Sequence, residues 1–232
     1  FPSWETLPGE EISPSLDIVG KRFALLYQLL SEEKPQCLFT SLQAVLQKIP
    51  PASSLKPLLH IWKVGENIAF DSLEPLLCSL GYQKSAVVSD KGEFALRGGI
   101  LDIFPLSSPI PYRLEFFGDT LESMRSFDPG SQKSIEKKTQ LFLCPAEELS
   151  LLKKESHPAT LLDYLPLNTL IVFDDLLALE DKFISFQKIS LKENRLFLSF
   201  DELLKKSKNY RRIFLTKEEI HHLSDICFKE KT

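Results

Sequence analysis

The chain has 232 residues, with 28 lysines and arginines against 32 aspartates and glutamates and a formal net charge of −4. This length fits one large or two small domains with a substantial hydrophobic core. The acidic balance argues against a protein whose main task is to coat nucleic acid. No apolar run approaches the ~20 residues that span a bilayer, so we expect a soluble cytoplasmic protein without a membrane partner.

Residues 1–66 have the pattern of an incomplete α/β unit. After an irregular loop, the apolar spacing predicts a helix over 18–30. A short buried strand is predicted at 37–40, and a second helix at 41–46. Because the chain opens at a phenylalanine without an initiator methionine, we expect a fragment of a longer protein.

Residues 67–147 have a different pattern, a helix followed by a run of short strands. The helix is predicted over 72–80 and ends at Gly81. Gly-Gly, Gly-Asp and Pro-Gly dipeptides separate the strands, as turns between antiparallel strands do. A helix followed by such a meander is typical of an α+β domain.

From residue 148 to residue 232 the α/β pattern returns. The apolar run 169–173 ends at Asp174 and Asp175, which is typical of a central parallel strand whose carboxylates face a site. Two α/β pieces on either side of an α+β piece predict one split domain interrupted by an insertion.

The last piece contains further predicted elements. Helices are expected at 159–164 and 176–183, and a strand at 195–200. The basic tract 205–212 either contacts phosphates or forms the solvated side of a helix that runs into a strand.

Residue types that carry catalysis are not arranged in a recognisable way. Asp174 and Asp175 resemble the end of a Walker B strand, but a nucleotide site also needs a glycine-rich phosphate loop, and no GxxxxGK[ST] occurs. We therefore expect a degenerate nucleotide site in which the two aspartates cap the next helix, with no catalytic residue and no metal. The four cysteines have no zinc-like spacing and are predicted to be free thiols: Cys37, Cys78, Cys144 and Cys227.

The strand predicted over 112–117 alternates strictly. Its two faces carry Tyr112, Leu114 and Phe116 on one side and Arg113, Glu115 and Phe117 on the other. If the first face is the core, a phenylalanine is left in water and forgoes roughly 25 cal/mol for each Å² that stays unburied. Arginine, carboxylate and aromatic together suggest a protein-binding hot spot, although cross-strand Arg–Glu pairs are also ordinary surface chemistry.

Residues 92–129 carry RGGILDIFP and PYRLEFFGDTLESMRSFDP, followed by SQKS at 131–134. These blocks resemble the N-terminal region of the Mfd family of bacterial transcription-repair coupling factors and, more distantly, the excision repair protein UvrB. WETLP at 4–8 resembles a loop of the Mfd family. LDYLP at 162–166 resembles the segment that precedes the Walker B strand of UvrB.

The resemblance implies a degenerate RecA-like α/β domain of the P-loop NTPase type, split into 1–66 and 148–232. An inserted α+β UvrA-binding domain would occupy 67–147. The fragment itself would be no enzyme and hold no cofactor. ATP and Mg²⁺ would act in the motor domains of the parent, a helicase-like hydrolase that translocates on DNA and releases stalled RNA polymerase during nucleotide excision repair. RNA polymerase and DNA would bind other regions of that parent.

The resemblance also implies a set of UvrA-binding residues: Arg97, Arg113 and Phe117, with Glu115 and Asp119 adjacent. Phe117 would be the apolar anchor in a pocket of UvrA, and the two arginines would pair with UvrA carboxylates. Arg97 and Asp119 enter this set through the resemblance alone, since the alternation does not place them.

Two other functions remain open from the sequence. The first is a UvrB-like, ATP-dependent excision repair subunit with an active nucleotide site, whose phosphate loop would lie upstream of Phe1. UvrB has an intact Walker A and a D-E-S-H motif, whereas the strand here ends at Asp174 and Asp175, which makes this function less favoured. The second is a DNA-binding module acting through 205–212, against which the acidic balance speaks.

Overall fold

The computed structural model describes residues 1–5, 13–32, 35–189 and 196–215. Its α-helices are α1 (Leu16–Leu30), α2 (Leu42–Leu46), α3 (Ala52–Leu55), α4 (Leu73–Ser79), α5 (Glu148–Lys154), α6 (Leu176–Ile189) and α7 (Phe200–Ser207). Its strands are β1 (His60–Lys63), β2 (Gln83–Lys84), β3 (Glu93–Arg97), β4 (Ile100–Ile103), β5 (Tyr112–Phe117), β6 (Thr120–Phe127), β7 (Ser134–Lys137), β8 (Gln140–Leu143), β9 (Leu170–Asp174) and β10 (Arg211–Leu215). Short 3₁₀ helices lie at Lys56–Leu58, Phe70–Ser72 and Leu161–Tyr164.

The centre of the molecule is a six-stranded sheet with the order β2-β3-β4-β5-β6-β7. Strands β3 to β7 form an antiparallel meander, and the two-residue strand β2 adds to β3 in parallel. The helix predicted at 72–80 is present as α4, and Gly81 follows it with a φ of +87°, a left-handed conformation that suits glycine. The predicted helix followed by a meander is therefore confirmed.

Strands β1 and β8 pair with each other, antiparallel, outside the large sheet. The segments that lead into the meander and away from it thus lie side by side, because His60 of β1 and Leu143 of β8 are direct partners. Strand β1 is absent from the sequence-based prediction, since its four residues, of which Trp62 alone is buried, show little alternation. The division into 1–66, 67–147 and 148–232 stays a prediction.

One hydrophobic core joins the first helix to the meander. Phe23 and Leu26 of α1 are fully buried in the same cluster as Phe94 of β3 and Leu101 of β4. Helix α1 confirms the helix predicted at 18–30. Its apolar side packs on the sheet because residues three and four apart in a helix share a face.

Two elements of the first piece differ in outcome. Helix α2 confirms the helix predicted at 41–46, and the Ser41 hydroxyl caps it by accepting a hydrogen bond from the Ala44 N–H at 3.2 Å. The strand predicted at 37–40 is wrong: no strand forms there, and Phe39 is 84% exposed. The Phe1 ammonium donates to the carbonyl of Phe39 at 2.5 Å and the Thr40 hydroxyl donates to the carbonyl of Phe1, but these two contacts make no sheet ladder.

Strands β9 and β10 are parallel, as the apolar run 169–173 suggested, but within the described residues β9 is not the central strand of a sheet. Among the described residues it pairs with β10 alone, and the prediction of a strand buried on both faces is wrong. One face packs on the neighbouring helices, where the rings of Phe173 and Phe214 stack with centroids 4.9 Å apart. The other face leaves Leu170 and Val172 exposed.

The other predictions for residues 148–232 differ in outcome. The helix at 176–183 is confirmed as part of α6, and the helix at 159–164 is a 3₁₀ turn in which Thr160 and Asp163 form a capping box. Among its described residues, the strand predicted at 195–200 is reduced to an isolated antiparallel bridge between Phe197 and Gln47, because Ser199 caps α7 with a second capping box. The basic tract 205–212 runs from α7 into β10, as the solvated-helix interpretation predicts.

The described cysteines are free thiols in two kinds of environment: Cys37 and Cys78 are exposed, and Cys144 is buried. Cys227 lies outside the described residues. Burial raises the pKa of the Cys144 thiol, because the thiolate would lose its hydration.

We therefore expect iodoacetamide to label Cys37 and Cys78 in the native protein, and Cys144 only after unfolding in urea. Peptide-resolved mass spectrometry measures the three rates in one sample, with Cys78 as the internal reference. Equal native labelling of Cys144 and Cys78 would contradict the burial of β8 and the segment after it.

No helix within the described ranges is long and apolar enough to cross a membrane.

Candidate functional site

The candidate site is one face of the six-stranded sheet, assembled by the register of β3 to β6. Arg97 pairs with Ile100, Ile100 with Glu115, and Glu115 with Ser123. Direct partners in an antiparallel sheet point to the same side. The next row across the same face consists of Asp102, Arg113 and Arg125. We call this side the outer face; it carries Arg97, Asp102, Arg113, Glu115, Phe117, Ser123 and Arg125.

The opposite side of the sheet faces the core. Leu114 and Met124 are direct partners there and are buried. Phe116 lies on this inner side too, where its ring meets that of Phe70 with centroids 5.3 Å apart. The alternation predicted from the sequence is confirmed. The strand register also places Arg97 on the outer face, which alternation alone could not do.

Phe117 projects from the outer face at the last position of β5. It is 76% exposed, whereas Leu114, on the inner side of the same strand, is fully buried. The turn after it begins at Gly118, whose φ of +57° lies in the left-handed region. Phe117 is thus an exposed aromatic at the end of a rigid strand next to a tight turn, where a partner can reach it.

Arg113 is bound within the protein by Asp102. The guanidinium donates from Nε to Oδ1 at 2.6 Å and from Nη2 to Oδ2 at 2.8 Å, which is a two-pronged pair. Asp102 is only 2% exposed, and the guanidinium carbon lies 4.9 Å from the ring centroid of Phe127. The hydrogen bonds to Asp102 raise the pKa of Arg113 above its usual range.

Glu115 is also held within the outer face. It accepts a hydrogen bond from the Ser123 hydroxyl at 2.6 Å and forms an ion pair with Arg125. The hydrogen bond from Ser123, reinforced by the Arg125 charge, lowers the pKa of Glu115. Glu115 therefore stays ionised on this face at neutral pH.

Arg97 and Asp119, unlike Arg113 and Glu115, are not held by ion pairs among the described residues. Arg97 is exposed, donates to the carbonyl oxygen of Ala86, and forms no salt bridge among the described residues. Asp119 lies in the turn after Phe117, where its carboxylate accepts from the N–H of Phe70 at 2.9 Å and its carbonyl from that of Ile68 at 2.7 Å. Asp119 thus fixes the turn against the segment that precedes α4.

Comparison with known proteins shows what the part of the chain that carries this face is similar to. Residues 60–149 match the sequence family described as the UvrB interaction domain. The transcription-repair-coupling factor of Escherichia coli (strain K12) is 39% identical over 145 residues, which are 62% of this chain and 12% of that protein. That of Myxococcus xanthus is 39% identical over 158 residues, 68% of this chain and 13% of that protein.

A third relative extends the match along the chain. The transcription-repair-coupling factor of Bacillus subtilis (strain 168) is 27% identical over 296 residues, 97% of this chain and 25% of that protein. The chain is related to the transcription-repair-coupling factors. It spans between about an eighth and a quarter of the length of these three relatives. The resemblance first seen in residues 92–129 is confirmed.

The pair Asp174 and Asp175, which lies outside the range 60–149 matched by the UvrB interaction domain family, has a structural explanation. Asp175 has a φ of +59°, and its carboxylate accepts a hydrogen bond from the N–H of Ala178 at 3.2 Å, in the first turn of α6. Asp174 is exposed at the end of β9. The interpretation of strand-end carboxylates that cap the next helix is confirmed for Asp175. Within the described ranges, no cluster of three or more His, Cys, Asp or Glu side chains is placed to hold a metal ion.

Sequence reasoning missed three residues of the outer face, Asp102, Ser123 and Arg125. A signal for Asp102 exists in the coupling-factor-like block RGGILDIFP: it is the one charged residue within an otherwise apolar strand. A carboxylate in such a place needs a partner, because burying a lone charge is costly. Which arginine supplies that partner depends on the register between β4 and β5, which the sequence does not contain.

Proposed function

We propose that this chain is the UvrA-recruiting N-terminal module of a transcription-repair coupling factor. The observation that carries the proposal is the outer face, which presents an exposed Phe117 within the stretch matched by the UvrB interaction domain family. The whole protein would release RNA polymerase stalled at DNA lesions in an ATP-dependent manner and bring in the excision repair machinery.

The module itself would act by binding and without catalysis. The parallel pair β9 and β10 with its helices would be the remnant of a RecA-like domain split by the inserted UvrA-binding domain. The sequence has no glycine-rich phosphate loop, and Asp175 serves the start of α6. ATP and Mg²⁺ would bind in the motor domains of the parent, while RNA polymerase and DNA would contact other regions.

Phe117 and Arg97 would meet UvrA first: both are exposed, whereas Asp119, which is also exposed, is bound to the segment that precedes α4. A phenylalanine that inserts into a pocket loses its contact with water and gains dispersion contacts, as hot-spot aromatics do. Arg97 forms no salt bridge among the described residues, so its charge is available to attract an acidic surface. The ion pairs of Arg113 and Glu115 would hold the surface between these two contacts.

Replacing Phe117 with alanine is expected to weaken UvrA binding by about 2 kcal/mol or more, which is roughly 30-fold. Because Phe117 is exposed, we expect the free energy of unfolding to change by less than about 0.5 kcal/mol. The loss of affinity would then come from the missing contact between Phe117 and UvrA. Isothermal titration of the protein with UvrA measures the effect.

Phe39→Ala is the matched control, because Phe39 is even more exposed and lies outside residues 60–149. It should bind UvrA like the unchanged protein. If both alanine variants bind UvrA equally well, Phe117 is not part of the UvrA-binding surface.

A further inference from the structure

The outer face contains a charge arrangement that the register alone makes unfavourable. Arg113 of β5 and Arg125 of β6 are direct cross-strand partners, and like charges placed opposite each other destabilise a sheet. Each arginine is held by a different carboxylate: Asp102 binds Arg113, and Glu115 binds Arg125. The two carboxylates therefore keep the two guanidinium groups apart.

The Asp102 pair also determines which edge of Arg113 stays available. A guanidinium has five N–H donors, and Asp102 takes one from Nε and one from Nη2. Of the three remaining donors, one on Nη1 and one on Nη2 form the Nη1–Nη2 edge, and the second donor of Nη1 points to the other side of the group. Asp102 is nearly fully buried, whereas the Arg113 side chain keeps 22% of its exposure, so part of Arg113 remains within reach of a partner.

We propose that Asp102 is a positioning residue for UvrA binding. It holds the Arg113 guanidinium over Phe127 with the Nη1–Nη2 edge outward, as a fork for a carboxylate of UvrA. This inference rests on the proposed function. Because Asp102 balances its charge, Arg113 would act through the direction of its hydrogen bonds. Long-range attraction of UvrA would come from Arg97.

Lysine at position 113 separates charge from geometry. Arg113→Lys keeps the positive charge and can still pair with Asp102, but it has no planar fork. We expect it to weaken UvrA binding about tenfold or more while the protein stays folded. Asp102→Asn, which keeps the shape and loses one charge-assisted acceptor, should cause a loss of similar size because the guanidinium is no longer held.

The double variant distinguishes positioning from a general structural effect. If Asp102 acts through the fork of Arg113, adding Asp102→Asn to Arg113→Lys should change UvrA binding less than about twofold. If Asp102 merely stabilises the sheet, its loss should appear equally in both backgrounds. Titrations with UvrA are made well below the unfolding temperature of the least stable variant, which thermal unfolding determines.

Three results would overturn the inference while leaving the proposed function intact. They are UvrA binding by Asp102→Asn that equals the unchanged protein, tighter binding by that variant, and losses that multiply in the double variant. Tighter binding would mean that Asp102 competes with UvrA for Arg113. If the unchanged protein fails to bind UvrA at all, the proposed function falls, and the inference falls with it.

Discussion

Replacing Arg22 with methionine is expected to destabilise the protein by about 3–5 kcal/mol, the cost of removing one partner of a buried ion pair. The side chains of Arg22 and Glu148 are completely inaccessible to water. Without Arg22, the Glu148 carboxylate would remain buried with no charge to balance it. A loss of this size is a large part of the 5–15 kcal/mol that stabilises a typical domain.

The contacts of Arg22 explain why the expected loss is so large. Its Nε and Nη2 donate to the two oxygens of Glu148 at 2.8 and 2.9 Å, and its Nη1 donates to the Gln47 side-chain oxygen at 3.0 Å and to the Pro2 carbonyl at 2.7 Å. The indole N–H of Trp4 donates to Glu148 at 3.0 Å. One guanidinium thus ties together the first residues, the end of α2 and the start of α5.

Urea denaturation followed by tryptophan fluorescence measures the free energy of unfolding. Lys84→Met is the matched control, since it removes a cation from the exposed pair with Glu74 and should cost less than about 1 kcal/mol. The double variant Arg22→Met with Glu148→Leu should be more stable than Arg22→Met alone, because it leaves no unpaired charge. An Arg22→Met protein as stable as Lys84→Met would contradict the buried pair.

Replacing Gly20 with alanine is the second change with a large expected effect. Gly20 lies within α1, where alanine normally favours a helix by about 1 kcal/mol over glycine. A Cβ atom at this position would lie 2.2 Å from the carbonyl oxygen of Leu106 and 2.4 Å from its carbonyl carbon. Both are backbone atoms that cannot rotate away, so α1 would have to move off the segment after β4.

We expect Gly20→Ala to be less stable than the unchanged protein by about 1–3 kcal/mol, as for overpacked core sites. Thermal unfolding checks this. Gly130→Ala is the matched control, because its Cβ would meet only the Asp128 carboxylate at 3.6 Å, an ordinary contact. Stabilisation by Gly20→Ala would show that helix propensity exceeds the clash and that α1 packs less closely than described.

Local patterns predicted the parts of this fold that local chemistry determines. The alternation along β5 placed Phe117 outside because successive strand residues face opposite ways. The capping and turn residues placed α2 and α4 for similar reasons. The register between strands is different, because it depends on pairing distant segments. The partnership of Asp102 with Arg113 was therefore beyond the reach of these patterns.

Errors arose where tertiary contacts override a short apolar run. Residues 37–40 are apolar enough for a strand, but they pair with no strand in the described part of the chain, and Phe39 faces water. Strand β9 looked central because it is continuously apolar, yet a single described neighbour supports it. The cluster around Arg22 gave no signal at all, since Glu148 follows it by 126 residues.

That separation has a consequence for synthesis of the protein on the ribosome. Helix α1 emerges early, but Arg22 cannot meet Glu148 until 126 further residues have been added. At 5–20 residues per second, this takes about 6–25 s. During that interval the apolar side of α1 is exposed and the guanidinium remains hydrated. The buried pair therefore closes only after the whole meander has emerged, so the residues around Arg22 are among the last to reach their final places.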